Sequence, residues 1–178
     1  LHMKNIFLFL ALIPMIGFGQ TKVDSKKQIL PINSYVKSID NLTLEAAFEL
    51  TNRVTKFAET LNKKVTIAIL DTSGTTILLA RADGIGPHNT EAARRKAYTS
   101  LSTKTATLTL LRNTEKHPDS KNLNTLPELL LLSGGTPIWY KGNIIGSIGV
   151  AGGGSAENDD LIAKSAEITE LGITTKQQ

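Results

Sequence analysis

Residues 133–154 read SGGTPIWYKGNIIGSIGVAGGG, two apolar runs joined by a short polar turn and bounded by glycines. The first run ends at Tyr140, Lys141-Gly142-Asn143 provides the turn, and the second run begins at Ile144. β-rich runs that flank such a Gly/Asn turn are typical of a hairpin. The segment therefore predicts two antiparallel strands that are neighbours in one sheet.

A second pair of β-rich runs lies upstream of the first. Residues 65–71 (VTIAILD) and 76–82 (TILLARA) flank the turn residues 72–75 (TSGT). This arrangement predicts another hairpin, so the two hairpins together supply four antiparallel strands.

Helices are predicted around these hairpins. Thr43 caps a helix with one apolar stripe that runs to Leu61, and a second helix follows the breaker cluster 83–87 with Asn89 or Thr90 as its cap. Ser155 caps a last helix that runs to about Leu171 and stops at Gly172.

The pattern between the second helix and the second hairpin is weaker. Residues 112–124 are polar and predict a loop, whereas the apolar residues 126–132 predict a fifth strand or a short helix. The order of elements is typical of an α+β layered domain in which helices cover an antiparallel sheet.

The first nineteen residues have the pattern of a cloning remnant followed by a signal peptide. Residues 1–2 precede a natural start at Met3, and Lys4 gives the positively charged region. The apolar run 6–16 is shorter than the ~20 residues that span a bilayer, and 17–19 (GFG) resemble a cleavage site.

Cleavage would leave a spacer, residues 20–41, and one domain, residues 42–178. We therefore expect an exported protein, periplasmic or secreted, that does not associate with the membrane once the leader is removed. The absence of cysteine excludes disulfides, thiolate chemistry and cysteine-based metal sites.

The charge of the chain indicates no nucleic-acid partner. Its net charge is +4, its basic residues form no long run, and aromatic residues make up only 5%. Slight positive charge is compatible with an anionic small molecule.

Few side chains suggest a catalytic or metal site by themselves. His88 and His117 lack the spacing of a zinc site, and no G-x-S-x-G motif is present. Tyr98 and Tyr140 are alternative oxygen ligands for ferric iron. Arg81-x-Asp83 followed by glycine favours a local salt bridge or an Asp-Gly turn.

Glycines 152–154 precede the last helix without forming a phosphate-binding loop, because the acidic first turn of that helix, Glu157 to Asp160, would repel phosphate. They predict a tight turn and close packing, and they would also let a flat ligand approach the backbone.

The domain resembles the GlcG/HbpS-type family, also called the haem-degrading domain family, in motifs that fall in family order over nearly its whole length. The matching pieces are LTLEAA (42–47), VTIAILD (65–71) with Gly74, RADG (81–84), AARRKAYTS (92–100), SGGTPI (133–138) and GSIGVAG (146–152). Two departures are that the first helix lacks the histidine of a haem-binding relative and that Ser133 replaces the usual proline.

This resemblance implies a profilin-like α/β/α sandwich with a five-stranded antiparallel sheet, and self-assembly into homo-oligomers. It implies a haem or tetrapyrrole ligand, in a pocket between the loop after the second strand, the start of the second helix and the two glycine turns. The residues placed there are Arg81, Asp83, His88, Arg94, Lys96, Tyr98, Gly134 and Gly135.

The resemblance implies this pocket but no particular iron ligand, so the roles within it are predicted from the chemistry of the side chains. Basic groups Arg81, Arg94 and Lys96 would meet haem propionates or another carboxylate. His88, the candidate metal ligand, or Tyr98 would bind the iron axially.

Three functions follow as alternatives. The first is an exported haem-binding protein that sequesters haem or slowly degrades it. The second is an enzyme that acts on a small organic acid or carbonyl compound, with Arg81 or Arg94 as carboxylate clamp and His88 or Asp83 as acid/base. The third is a non-catalytic oligomeric sensory or assembly partner.

Overall fold

A computed structural model describes residues 31–177 of the chain. The predicted cloning remnant and signal peptide, and the spacer up to residue 30, lie outside the described residues. Ser38–Gln178 forms one compact unit, and the short stretch before it contains a 3-10 turn at Ile32–Ser34. None of the helices in the described range is long and apolar enough to cross a membrane.

A five-stranded, fully antiparallel sheet forms the centre of the domain. Its strands are β1 (Thr66–Leu70), β2 (Thr76–Arg81), β3 (Gly135–Tyr140), β4 (Asn143–Ala151) and β5 (Ile173–Thr174), in the spatial order β2-β1-β4-β3-β5. Both predicted hairpins are confirmed. Lys141 and Gly142 have positive φ angles of 49° and 75°, the geometry of the tight turn expected between β3 and β4.

Four α-helices surround this sheet. They are α1 (Leu44–Thr60), α2 (His88–Thr103), α3 (Thr107–Lys116) and α4 (Ala156–Lys164). The predicted caps of α1 and α4 are confirmed, because the Thr43 hydroxyl accepts from the Ala46 N–H and the Ser155 hydroxyl accepts from the Asn158 N–H.

The predicted cap of α2, Asn89 or Thr90, was two to three residues too late. Pro87, with helical φ and ψ angles, precedes the first helical residue, His88. The N–H groups of Asn89 and Thr90 donate to the carbonyls of Gly86 and Pro87. Because proline is already restricted to a helical φ, the chain starts this helix without a side-chain cap.

The segment before the second hairpin also differs from the prediction. Residues 112–124 are largely helical, as the end of α3 and as the 3-10 helix Pro118–Thr125, rather than a loop. The fully buried positions of α3 are the threonines Thr107 and Thr114, and its leucines are only half-buried, so no strongly apolar run marks the helix.

Residues 126–132 form neither a strand nor a helix. The N–H of Leu130 donates to the Thr99 hydroxyl, and that of Leu131 donates to the Asn124 side chain. The backbone of this segment is therefore hydrogen-bonded to side chains and not to a neighbouring strand. The fifth strand of the sheet is β5.

The last helix is shorter than predicted. It ends at Lys164, and a 3-10 turn, Thr169–Leu171, follows before Gly172 adopts a left-handed conformation with φ 75°. The Glu167 carboxylate accepts hydrogen bonds from Thr174 and Thr175, which holds β5 against this turn.

The sheet is covered on both faces, as an α/β/α sandwich. On one face α1 and α4 bury a large aliphatic core that includes Leu50, Ile69 and Ile162. On the other face α2 packs through small residues, so that a Cβ on Gly149 would lie 2.0 Å from the Ala93 carbonyl oxygen. This is the predicted architecture. The backbone of α2 packs directly against the backbone of β4, with no room for a side chain at Gly149.

Candidate functional site

The loop between β2 and α2 contains the first predicted site residues. Arg81 ends β2, is exposed, and donates from Nη1 to the Ile85 carbonyl at 3.2 Å. Asp83 and Gly84 form the expected Asp-Gly turn, with Gly84 at φ 82°. No ion pair joins Arg81 to Asp83 in the part of the chain that the structure describes.

His88 follows this loop as the first residue of α2. The side chain is exposed, and a Cβ on Gly86 would lie 2.9 Å from its Cε1, so the imidazole rests on the glycine. Among residues 31–177 no group is hydrogen-bonded to either ring nitrogen. The imidazole is therefore free to bind a ligand or a metal atom.

Tyr98 lies on the same helix, but ten residues further, which is ~15 Å along the helix axis. It is half-buried, and a Cβ on Gly74 would lie 2.8 Å from its Cε2, so its ring covers the first hairpin turn. The structure does not bring Tyr98 and His88 together. Tyr140 lies at the turn of the second hairpin, opposite Asn143, with Lys141 Nζ 4.8 Å from its ring.

Arg94 is paired with two carboxylates. Its Nη2 lies 2.7 Å from Glu91 Oε1 and 2.8 Å from Glu128 Oε2. Hydrogen bonding from Arg94 lowers the pKa of Glu91, and the bond to Glu91 in turn raises the pKa of Arg94. A guanidinium held in this way is a poor partner for a ligand carboxylate.

Lys96 is buried, contrary to the expectation that it would meet a ligand. Its Nζ lies 2.7 Å from Asp159 Oδ2 and 2.9 Å from the Val150 carbonyl oxygen, and the residue is only 4% exposed. Lys96 is therefore a structural cation that ties α2 to α4. The pairing was missed because nothing in the local sequence indicates it; the charge of Asp159 was attributed to the helix terminus.

Gly134 and Gly135 lie where segments of the fold pack closely. A Cβ on Gly134 would lie 2.5 Å from the Val150 carbonyl oxygen, and one on Gly135 would lie 2.1 Å from that of Lys96. The Gly135 N–H donates to the buried Thr107 hydroxyl. The glycine that does approach the β2–α2 loop is Gly152, whose Cβ would lie 3.4 Å from Ile85 Cδ1.

A cavity of about 360 Å³ lies beside the β2–α2 loop, between the end of α1 and the strands β1 and β2. Its lining residues are Thr55, Ala58, Glu59, Lys63, Lys64, Val65, Ile67, Ala80, Arg81, Ala82 and Asp83. Arg81 and Asp83 were predicted, whereas the lysines were missed because they follow a helix end and resemble ordinary solvated charges.

A haem iron would need only one protein side chain here. No group of three or more histidine, aspartate or glutamate side chains in the described range could hold a bare metal ion. Porphyrin nitrogens supply the four equatorial ligands of haem iron, so a single imidazole such as His88 is a sufficient protein ligand.

The model of the family described as "Haem degrading protein HbpS-like" matches residues 42–167. The chain belongs to this HbpS-like family. The match covers both hairpins, α1 to α4, the β2–α2 loop and the cavity beside it.

Solved structures of HbpS-like proteins have the same fold. A double mutant of HbpS from Streptomyces reticuli is 34% identical, with a TM-score of 0.68 over 74% of this chain and 88% of that one. The PduOC–haem complex is 28% identical, with a TM-score of 0.68 over 77% and 99% of the two chains.

Curated relatives include the corrinoid adenosyltransferase PduO of Citrobacter freundii, 30% identical over 146 residues. The match covers 77% of this chain but 41% of PduO, so this chain spans about two fifths of the length of that enzyme. An uncharacterised 15.0 kDa protein of the same organism is 27% identical, over 73% of this chain and 92% of its own length.

Proposed function

We propose that this domain binds haem or a related tetrapyrrole at the β2–α2 loop. The observation that carries the proposal is His88, an exposed imidazole with free ring nitrogens at the start of α2. The family to which the chain belongs and the haem complex of PduOC support haem as the ligand.

The residues around His88 fit such a ligand. Imidazole is a common axial ligand of haem iron, and when haem is bound the iron supplies redox chemistry that no side chain provides. Ile85, in the loop that precedes His88, presents an apolar side chain beside Gly152. Arg81, whose only side-chain hydrogen bond in the described range is to the Ile85 carbonyl, can bind a propionate with its remaining donors.

The proposed role is haem sequestration, with slow haem degradation as a secondary activity. His88 binds and orients the ligand, and Arg81 holds its charged edge. Arg94 and Lys96 are already paired with carboxylates, so neither binds the ligand directly. Their ion pairs instead fix the position of α2, which carries His88.

A haemin titration of the purified protein, followed by absorbance, tests the proposal. We expect a saturable Soret band at one haem per chain, weakened in His88→Ala and, to a smaller extent, in Arg81→Gln. Tyr98→Phe tests the alternative iron ligand. His117→Ala is the control, because it removes an exposed histidine outside the proposed site. Binding that ignores His88→Ala but is weakened by Tyr98→Phe would place the ligand at the other end of α2.

We further propose that the protein acts outside the cytoplasm and as a homo-oligomer. Export rests on the leader pattern of residues 3–19, and recovery of mature protein that begins at Gln20 would test it. Self-association rests on α1, where Leu44 and Phe48 are 54% and 61% exposed one turn apart.

A further inference from the structure

The imidazole of His88 occupies the space that a side chain at position 86 would take. A Cβ on Gly86 would lie 2.9 Å from His88 Cε1 and 3.1 Å from His88 Nδ1. The next nearest atom is Asn89 Nδ2, at 3.7 Å, so no other atom of the ring lies closer than this. The Nδ1–Cε1 edge of the imidazole is therefore the edge that faces the loop.

Backbone conformation does not account for the glycine at position 86. Gly84, in the same loop, has a φ of 82°, a conformation that favours glycine, whereas the φ of Gly86 is not positive. Conversely, a Cβ on Gly84 would meet nothing within 4 Å. Position 84 thus needs the conformational freedom of glycine, and position 86 needs the space that the imidazole occupies.

Asn89 holds Gly86 in place beside the ring. Its backbone N–H donates to the Gly86 carbonyl oxygen at 3.1 Å, and its side-chain Nδ2 donates to the same oxygen at 3.2 Å. Since no hydrogen bond to a ring nitrogen of His88 is present among residues 31–177, the contact with Gly86 is what orients the imidazole.

This orientation makes the two ring nitrogens of His88 unequal. A metal atom binds an imidazole nitrogen in the plane of the ring, on the outer side of that nitrogen. The outer side of Nδ1 is turned toward the loop, where a wide, flat porphyrin would collide with the backbone at Gly86. Nε2 lies beyond the contacting edge of an exposed side chain, so it is the nitrogen that a large ligand can reach.

We propose that Gly86 and Asn89 are positioning residues that select Nε2 of His88 as the atom that binds haem iron. The inference rests on the proposed function, because it assigns roles within that same site. Gly86 admits the imidazole against the loop, and Asn89 keeps the glycine there. A side chain that is oriented before the ligand arrives loses less conformational freedom on binding.

NMR of the protein without haem tests the contact. The wild type should show a nuclear Overhauser effect between His88 Hε1 and the Gly86 Hα protons. Gly86→Ala should shift the ring resonances of His88 with little change in the midpoint of thermal unfolding, because only an exposed side chain has to move. Gly84→Ala should leave those resonances in place. Absence of the effect in the wild type would overturn the inference, whatever a haemin titration shows.

Haemin titrations of the same matched pair test the role in binding. Gly86→Ala fills the space of the imidazole without backbone strain and should weaken haemin binding about tenfold or more. Gly84→Ala strains the backbone but adds no contact, so its effect should be smaller. Asn89→Ala removes one of two hydrogen bonds to Gly86 and should lie between them. Unchanged binding in Gly86→Ala, or an equal loss in Gly84→Ala, would overturn this inference and leave the haem proposal standing.

The identity of the ligand nitrogen has its own measurement. In the diamagnetic complex of ferrous haem with carbon monoxide, the porphyrin ring current shifts ligand protons close to the iron strongly upfield. Both Cε1–H and Cδ2–H of His88 should shift, because these carbons flank Nε2, whereas a shift of Cε1–H alone would identify Nδ1 and overturn the inference. Haemin binding that ignores His88→Ala would overturn the haem proposal itself, so the two failures are distinguishable.

Discussion

Lys96 Nζ lies 2.7 Å from Asp159 Oδ2, with both side chains largely buried, and this ion pair joins α2 to α4 across 63 residues of sequence. Both members of the pair also make hydrogen bonds to the backbone. Lys96 also donates to the Val150 carbonyl, while the other oxygen of Asp159 accepts from the Gly153 N–H at 2.7 Å. Four segments of the fold thus meet at one buried charge pair.

Removal of the lysine charge should destabilise the domain strongly. Lys96→Met leaves Asp159 buried without its cation, and we expect a loss of ~3–5 kcal/mol in the free energy of unfolding. Urea denaturation measures it. Arg112→Met, which removes an exposed arginine from the exposed Glu157, is the control and should cost less. Equal losses in the two variants would contradict a special role for the buried pair.

A methyl group on Gly149 should disrupt the contact between α2 and the sheet. Its Cβ would lie 2.0 Å from the Ala93 carbonyl oxygen, so Gly149→Ala forces the helix away at a cost of ~1–3 kcal/mol or more. Thermal unfolding measures the loss. In Gly142→Ala the new Cβ meets nothing within 4 Å, so only the strain of its φ of 75°, ~1 kcal/mol, is expected. A smaller loss for Gly149→Ala than for Gly142→Ala would argue against close packing.

The turn between β1 and β2 should make stability depend on pH. Burial alone would raise the pKa of Asp71, but hydrogen bonds from the Ser73 hydroxyl and the Thr75 N–H outweigh it and lower the pKa below its ordinary value. A depressed carboxyl pKa stabilises the fold above the unfolded pKa of about 3.8, and this contribution is lost as the pH falls through the folded pKa.

Asp71→Asn should therefore lower stability by ~1 kcal/mol at neutral pH, because an amide oxygen is a weaker acceptor than a carboxylate. The difference from the wild type should shrink below the unfolded pKa, as measured by urea unfolding at a series of pH values. Asp119→Asn, at an exposed carboxylate, serves as the control. A deficit that stays constant into the acid range would mean that the charge of Asp71 is not the cause.

Substitution of Phe48 should separate association from folding. Phe48→Ser removes an exposed ring from α1, so we expect a shift from oligomer to monomer with little change in monomer stability. Size-exclusion chromatography with light scattering measures the molecular mass. Leu161→Ser, at an exposed leucine of α4, is the matched control and should leave the mass unchanged.

Local patterns in the sequence were sufficient for most of the fold. The hairpin turn at Lys141–Gly142, the caps Thr43 and Ser155 and the apolar stripe of α1 depend on neighbours a few residues away. Such short-range preferences can be recognised without knowledge of the fold. They were sufficient for the four hairpin strands and for three of the helices, although the bounds of two differed.

Tertiary structure decided what the charged residues do. Lys96 and Arg94 seemed equally suited to a ligand carboxylate, but the fold buries the first against Asp159 and pairs the second with Glu91 and Glu128. It brings residues of α1, β1 and β2 and the lysines that follow α1 around a cavity that no motif indicates. The physical reason is that the charge of a side chain is a local property, whereas its burial and its partners depend on segments far apart in the chain.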